Sequence, residues 1–168
     1  MEVKLKIIPF EEKEALRNLL EKYDYEFSLY DKLDVNNFGL YGYEDFDHYW
    51  SKENRWPYFI LVDDTIAGFV MISDKSEVKD RGTSFVISEF FVMRKYQRMG
   101  IGKQIVFQVL DLHKGTWQLK LHPKNLPSVH FWSKVIDEYT KGAFEKVDAY
   151  PGTEYNDGTL ADLYFFSS

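Results

Sequence analysis

The chain has 168 residues, with 27 Asp and Glu against 21 Lys and Arg, a formal net charge of −6. That length predicts one domain, residues 1–168, able to bury about 70% of its unfolded surface. A hydrophobic share of 45% excludes wholesale disorder, and the absence of cysteine excludes disulfides, thiolate metal sites and a Cys nucleophile. The opening MEVKLKIIPFEEKE mixes charges with short apolar stretches, so no signal peptide is expected. No run approaches the roughly 18 apolar residues of a membrane span, so the expectation is a soluble, cytoplasmic domain without a membrane partner.

In chain order, Val3, Leu5 and Ile7 alternate with Lys4 and Lys6, a short strand stopped by Pro9. Leu16, Leu19, Leu20, Tyr23 and Phe27 recur at helical spacing and predict a helix over about 11–29. A loop over 31–43 and a short helix over 44–52 follow. Tyr58–Val62 and Ile66–Ile72 flank Asp63-Asp64-Thr65 as an antiparallel hairpin. Residues 83–93 form the longest strand. Ile101, Ile105, Val109 and Leu112 mark a helix ending before Gly115, and Thr116–Leu121 a further strand. Leu126, Val129, Trp132, Val135 and Ile136 predict a helix over 125–139. Phe144–Tyr150 and Thr159–Phe166 close the chain as a hairpin. The order predicts an α+β fold with a mixed, largely antiparallel central sheet of about seven strands. Helical crossovers in the second half require one parallel strand pair.

Charge is unevenly spread. Residues 21–54 hold Glu21, Asp24, Glu26, Asp31, Asp34, Glu44, Asp45, Asp47 and Glu53 against three lysines. Residues 90–134 hold eight basic residues against Asp111 alone. Within the basic stretch, Gln97-Arg98-Met99-Gly100-Ile101-Gly102-Lys103 joins the longest strand to a helix. Glycines permit a tight turn and close approach of a ligand, and a helix N-terminus offers unpaired N–H groups to an anion. Arg94, Lys95, Arg98 and Lys103 add positive charge. A Walker loop is excluded because Gln104, not Ser or Thr, follows Lys103. A dinucleotide fingerprint is excluded because Ile105 stands where its third glycine belongs.

The stretch from Glu89 to Gly102 resembles the acetyl-CoA motif of the GNAT N-acetyltransferase superfamily, Gln/Arg-x-x-Gly-x-Gly/Ala, with Val92 eight residues before Gly100. Asn125-Leu-Pro-Ser-Val-His-Phe-Trp132 is similar to its second motif. The resemblance, to a bacterial-type single-domain member, implies a sheet splayed between the long fourth strand and the fifth, with acetyl-CoA as co-substrate and no metal. It implies that backbone groups of Phe91, Val92 and Met93 meet the pantetheine arm. Backbone groups of Arg98, Met99, Gly100, Ile101, Gly102 and Lys103 would hold the pyrophosphate, with Gln97 at the entrance. Asn125 would contact pantetheine. Trp132 stands where many relatives have a tyrosine acid; it either packs on the cofactor arm or fills the core, and indole is too weak an acid to replace phenol. Water, Tyr96 or a tyrosine of the aromatic loops could supply that proton, or the thiolate leaves unassisted.

Acetyl transfer to an amine needs an unprotonated nitrogen, hence a base. Strict alternation places Glu89 in a row with Phe85, Ile87, Phe91 and Met93, where apolar neighbours would raise its pKa; the alternative is an exposed or ion-paired Glu89. His113, His122 and His130 fall near the cofactor side without metal-ligand spacing. Residues 21–54 also carry ten aromatics, and in the family this region overlies the acceptor. Asp24, Glu26, Asp31 and Asp34 are therefore expected to meet a small cationic amine, or else to solvate helices that the aromatics pack down. An inactive CoA-binding module, acetylation of a protein or peptide, and nucleic-acid binding are the competing functions; the overall acidity weighs against nucleic acid. A monomer or homodimer is expected.

Overall fold

The computed structural model describes residues 1–168. Seven strands form one sheet in the order β1-β2-β3-β4-β5-β7-β6. They are β1 (Val3–Ile7), β2 (Arg55–Val62), β3 (Thr65–Ser73), β4 (Phe85–Val92), β5 (Thr116–Leu121), β6 (Phe144–Val147) and β7 (Asp162–Ser167). The helices are α1 (Lys13–Asp31), α2 (His48–Ser51), α3 (Ile101–Leu112) and α4 (Leu126–Thr140). All strand pairs are antiparallel except β4 with β5. The predicted order and sheet class are those observed.

Each face of the sheet buries its own core. On one face Ile60, Val70 and Ile87 pack with Ile105, Val109, Val135 and Ile136 of α3 and α4. On the other, Phe59, Phe69, Met71 and Phe91 pack with Leu16, Leu19 and Leu20 of α1 and with Phe46 and Tyr49 around α2. The β2–β3 hairpin turns on Asp63 and Asp64, both at positive φ, the geometry that matches strand twist in a two-residue turn.

Among the differences from the sequence reading, three have an identifiable backbone cause. The second helix begins at His48 rather than at 44, because Asp45 has a φ of 59° and interrupts any helical run. The sixth strand stops at Val147 because Ala149 at φ 49° turns the chain out of the ladder. The third difference matters most. Met71 pairs with Glu89, but Ile72 pairs with Ile87, so Ser88 is an extra residue in β4. This bulge reverses the side-chain alternation. Phe85 and Ile87 therefore share the α3/α4 face with Phe90 and Val92, while Glu89 moves to the α1/α2 face with Phe91. The uninterrupted row through Glu89 is corrected accordingly.

β4 and β5 pair only at Phe85–Trp117 and Val86–Gln118, then part. The rings of Phe85 and Trp117, 4.9 Å apart, close the base of the resulting gap.

Candidate active site

The gap widens toward the C-terminal ends of β4 and β5. Met93 N–H donates to the Ala67 carbonyl, and Val92 stands opposite Gly68. That register turns the backbone of Phe91 and Met93 toward β3 and the backbone of Val92 toward the gap. Of the three residues expected to offer backbone groups, Val92 alone does so. Its carbonyl already accepts from Gln97 Nε2 at 2.8 Å, leaving its N–H facing the gap. Gly68 is indispensable to this register, since a Cβ there would lie 2.0 Å from the Phe91 carbonyl oxygen.

The turn before α3 leaves a run of backbone N–H groups without partners. The backbone N–H groups of Arg98, Met99, Gly100, Ile101, Gly102 and Lys103 have no acceptor within the chain; the first N–H bonded at this helix end is that of Gln104, to Gly100. The two glycines differ. Gly100 has a φ of 78°, a conformation costly for other residues. Gly102 has an ordinary backbone conformation, and a Cβ there would sit 3.1 Å from the Phe131 ring, a tight contact that the ring would have to relieve. Two of the nearby cationic side chains are engaged elsewhere. Lys103 pairs with Glu138 of α4, and Arg94 pairs with Glu26 of α1 at 2.8 Å.

The second motif contributes less than expected. Asn125 Oδ1 caps α4 by accepting from Ser128 N–H at 3.2 Å. Trp132 is buried, edge-on to Phe90 and Phe131 at 5.2 and 5.1 Å. It fills the core, which corrects its placement against the cofactor arm. Tyr96 is likewise a core residue. His113 lies at the closed base of the gap between Trp56, Phe85 and Trp117, bonded to Tyr58 at 3.0 Å, and not near the cofactor side.

On the α1/α2 face, Glu89 accepts a hydrogen bond from Tyr43 at 3.1 Å. Burial pushes its carboxyl up to about 8; the Tyr23 and Tyr43 hydroxyls pull the other way, and the nearby charges of Asp24 and Glu77 push further up. Burial, with Glu21 close by, also raises Asp24, to about 7. Tyr155 sits over the same mouth. Its ring lies against His122 at 4.6 Å, faces Phe27 at 5.8 Å and sits under Lys120 Nζ at 4.5 Å. Burial raises its phenol well above the usual range, and the charges of Glu77 and Glu89 add to that.

The four expected acceptor acids are not one pocket. Asp24 faces Glu89 from the buried side of α1. Asp31 is buried and spends both oxygens on Asn156, accepting from its N–H at 2.6 Å and its Nδ2 at 2.9 Å. Glu26 is committed to Arg94, and Asp34 is exposed to solvent. Asp31 thus fastens the β6–β7 loop to α1, while Asp157 of that loop bonds His122 and Lys124. Tyr155 is held over the gap by these ties. Sequence reading missed Tyr155 and Glu77, which lie in loops with no motif; Tyr23 and Tyr43 were visible only as members of an aromatic stretch. No group of three or more His, Cys, Asp or Glu side chains converges to hold a metal ion, and no helix is long and apolar enough to cross a membrane.

A parted β4–β5 pair, an N–H cradle at the following helix and a raised carboxylate beside the gap define the acyltransferase class of site. The chain belongs to the acetyltransferase (GNAT) family, whose sequence model matches residues 14–136. Among solved structures, an acetyltransferase from Thermus thermophilus is similar at 12% identity and a TM-score of 0.69, over 100% of this chain and 98% of its own. The PaiA N-acetyltransferase of Thermoplasma acidophilum, in complex with coenzyme A, is similar at 13% identity and 0.64, over 100% of both chains. Arabidopsis thaliana NAA60, in complex with acetyl-CoA, is similar at 14% identity and 0.62, over 99% of this chain and 98% of its own. At these identities the likeness is one of fold. No curated protein matches the chain in sequence.

Proposed function

We propose that this family member is an acetyl-CoA-dependent N-acetyltransferase acting on a primary amine, with Glu89 as its general base. The carrying observation is the Glu89 carboxylate, raised to about 8 beside the open end of the β4–β5 gap. The cradle from Arg98 to Lys103 fits a pyrophosphate, because its six N–H groups have no acceptor in the chain. Similar folds solved with coenzyme A or acetyl-CoA support the same occupant. Val92 N–H and the unbonded amide nitrogen of Asn125 would hold the pantetheine arm.

Acetyl-CoA supplies the acetyl group as a thioester. Ionised Glu89 takes a proton from the ammonium form of the acceptor, directly or through one water, and so exposes the nitrogen lone pair. Nitrogen then bonds to the acetyl carbon, the carbon–sulfur bond breaks, and sulfur leaves with the electron pair. The second proton of the nitrogen passes to solvent or to the departing sulfur. Tyr155, a phenol held neutral by burial, is the donor on this face for charge that develops at oxygen or sulfur; the Tyr23 hydroxyl is spent on Glu89. Trp132 has no part in this, being core.

The test is release of CoA thiol from acetyl-CoA with a panel of primary amines, amino acids and short peptides, for wild type and Glu89→Gln. Amine-dependent release that Glu89→Gln abolishes across pH 6–9 is expected. Full turnover by Glu89→Gln removes the assigned base; no release with any amine removes the activity.

A further inference from the structure

We propose that the acceptor is a small primary amine carrying an aromatic or branched apolar group, seated in a groove between α1 and the segment 35–41. This rests on the N-acetyltransferase reading above and names its substrate class.

The groove has a volume of about 660 Å³ and is lined by Tyr25, Leu40, Tyr41, Phe91 and Met93, with Val35 at its rim. That volume suits a small organic ligand. Its four charged members are engaged with other groups, Lys22 Nζ with the Asn18 carbonyl at 3.2 Å and without a carboxylate partner. Glu21 accepts from the backbone N–H groups of Tyr41 and Gly42 at 2.8 and 2.9 Å, and Glu26 is held by Arg94 at 2.8 Å. The remaining surface is apolar, and it is open. Tyr25 is 71% exposed and Leu40 47%, so both side chains are accessible to a ligand.

Two further carboxyls lie beyond the groove's lining. Phe91 forms the groove floor, and Glu89 precedes it by two residues on the same face of β4, a rise of about 7 Å. Tyr43 hydrogen-bonds Glu89, and Tyr41 lines the groove, so one segment walls both. Asp24 adds a second buried carboxyl beside Glu89. A ligand matching this arrangement has its nitrogen at Glu89 and an apolar body two or three carbons away over Phe91, Tyr25 and Leu40. A polyamine would instead place a second ammonium on that apolar lining, with no free carboxylate among the lining residues to receive it.

Two measurements on the full chain test this. Phenethylamine and spermidine are titrated calorimetrically into protein saturated with CoA. Turnover is compared for phenethylamine, spermidine and a short peptide. Phenethylamine is expected to bind at least tenfold more tightly than spermidine and to have the highest kcat/KM of the three. Tyr25→Ala and Leu40→Lys, both at exposed positions, are each expected to weaken phenethylamine binding about tenfold with unchanged thermal melting. Preference for spermidine or the peptide, or an affinity unmoved by both substitutions, overturns the groove assignment and leaves acetyl transfer standing. Tight, groove-dependent phenethylamine binding without thioester consumption does the reverse.

Discussion

The two sides of the β4–β5 gap are built on opposite principles. On the side proposed for the cofactor, one continuous segment, Arg98 to Lys103, carries backbone N–H groups without acceptors in the chain, and Lys103 pairs with Glu138. On the acceptor side, Tyr23 and Asp24 of α1, Tyr43 of a loop, Glu89 of β4 and Tyr155 of the β6–β7 loop meet from distant parts of the chain. A backbone site tolerates many side chains but depends on its glycine and its helix. A side-chain site depends on residue type at each position and on every tie that brings the segments together.

The comparison can be broken most sharply at Glu89. Glu89→Gln should lower kcat by about a hundredfold or more, the usual scale for a general base, while acetyl-CoA affinity by equilibrium titration stays within twofold. An equal loss of acetyl-CoA affinity would show the two sides are not separable. Gly100→Ala should do the converse. A side chain at φ 78° costs about 1–2 kcal/mol, so KM for acetyl-CoA should rise several-fold with the acceptor KM unchanged.

The pH dependence sharpens the acceptor side alone. With Glu89 at about 8, kcat/KM for the acceptor should climb through that pH, because the ionised carboxylate is the active form. Asp24→Asn removes a neighbouring negative charge that raises Glu89, so the rising limb should move to lower pH. A limb that stays in place would show that Asp24 does not act on Glu89.

Stability follows the same groups with the opposite sense. Below the ordinary carboxylate range Glu89 and Asp24 are protonated both folded and unfolded. As pH rises from there to about 8, the unfolded chain gives up protons that the folded chain keeps, so stability falls. Denaturation midpoints should therefore decline between pH 5 and 8, and Glu89→Gln should flatten that decline. Tyr43→Phe is the smallest change. Losing its hydrogen bond to Glu89 should cost about 1 kcal/mol where the carboxylate is ionised, and should move the kinetic limb upward, since that bond favours the anion.

Much of the cofactor side was legible because its chemistry is local. Strand, glycine turn and helix are adjacent in sequence, and Gly100 with Gly102 mark the turn whatever packs around it. The fate of individual side chains was not legible. Trp132 and Asn125 sit in a recognisable motif, yet one is core and the other an N-cap, roles decided by Phe90, Phe131 and the first turn of α4. The acidic run over 21–54 was open to reading as an amine-facing site or as solvating charge, and Asp31, Glu26 and Asp34 went to a loop tie, an ion pair and solvent. Composition records which charges are present and not which partners they reach.

The sequence alone determined the element order, the mixed sheet, the glycine turn before α3 and Glu89 as the base to examine. These follow from hydrophobic periodicity and from backbone chemistry confined to short segments. Tertiary structure decided which face Glu89 occupies, because a single extra residue at Ser88 reverses the alternation of β4. It also decided that Val92 alone turns its backbone to the gap, and that an apolar groove adjoins the carboxylate. Both depend on pairing register and on contacts between segments far apart in the chain, and no local pattern encodes them.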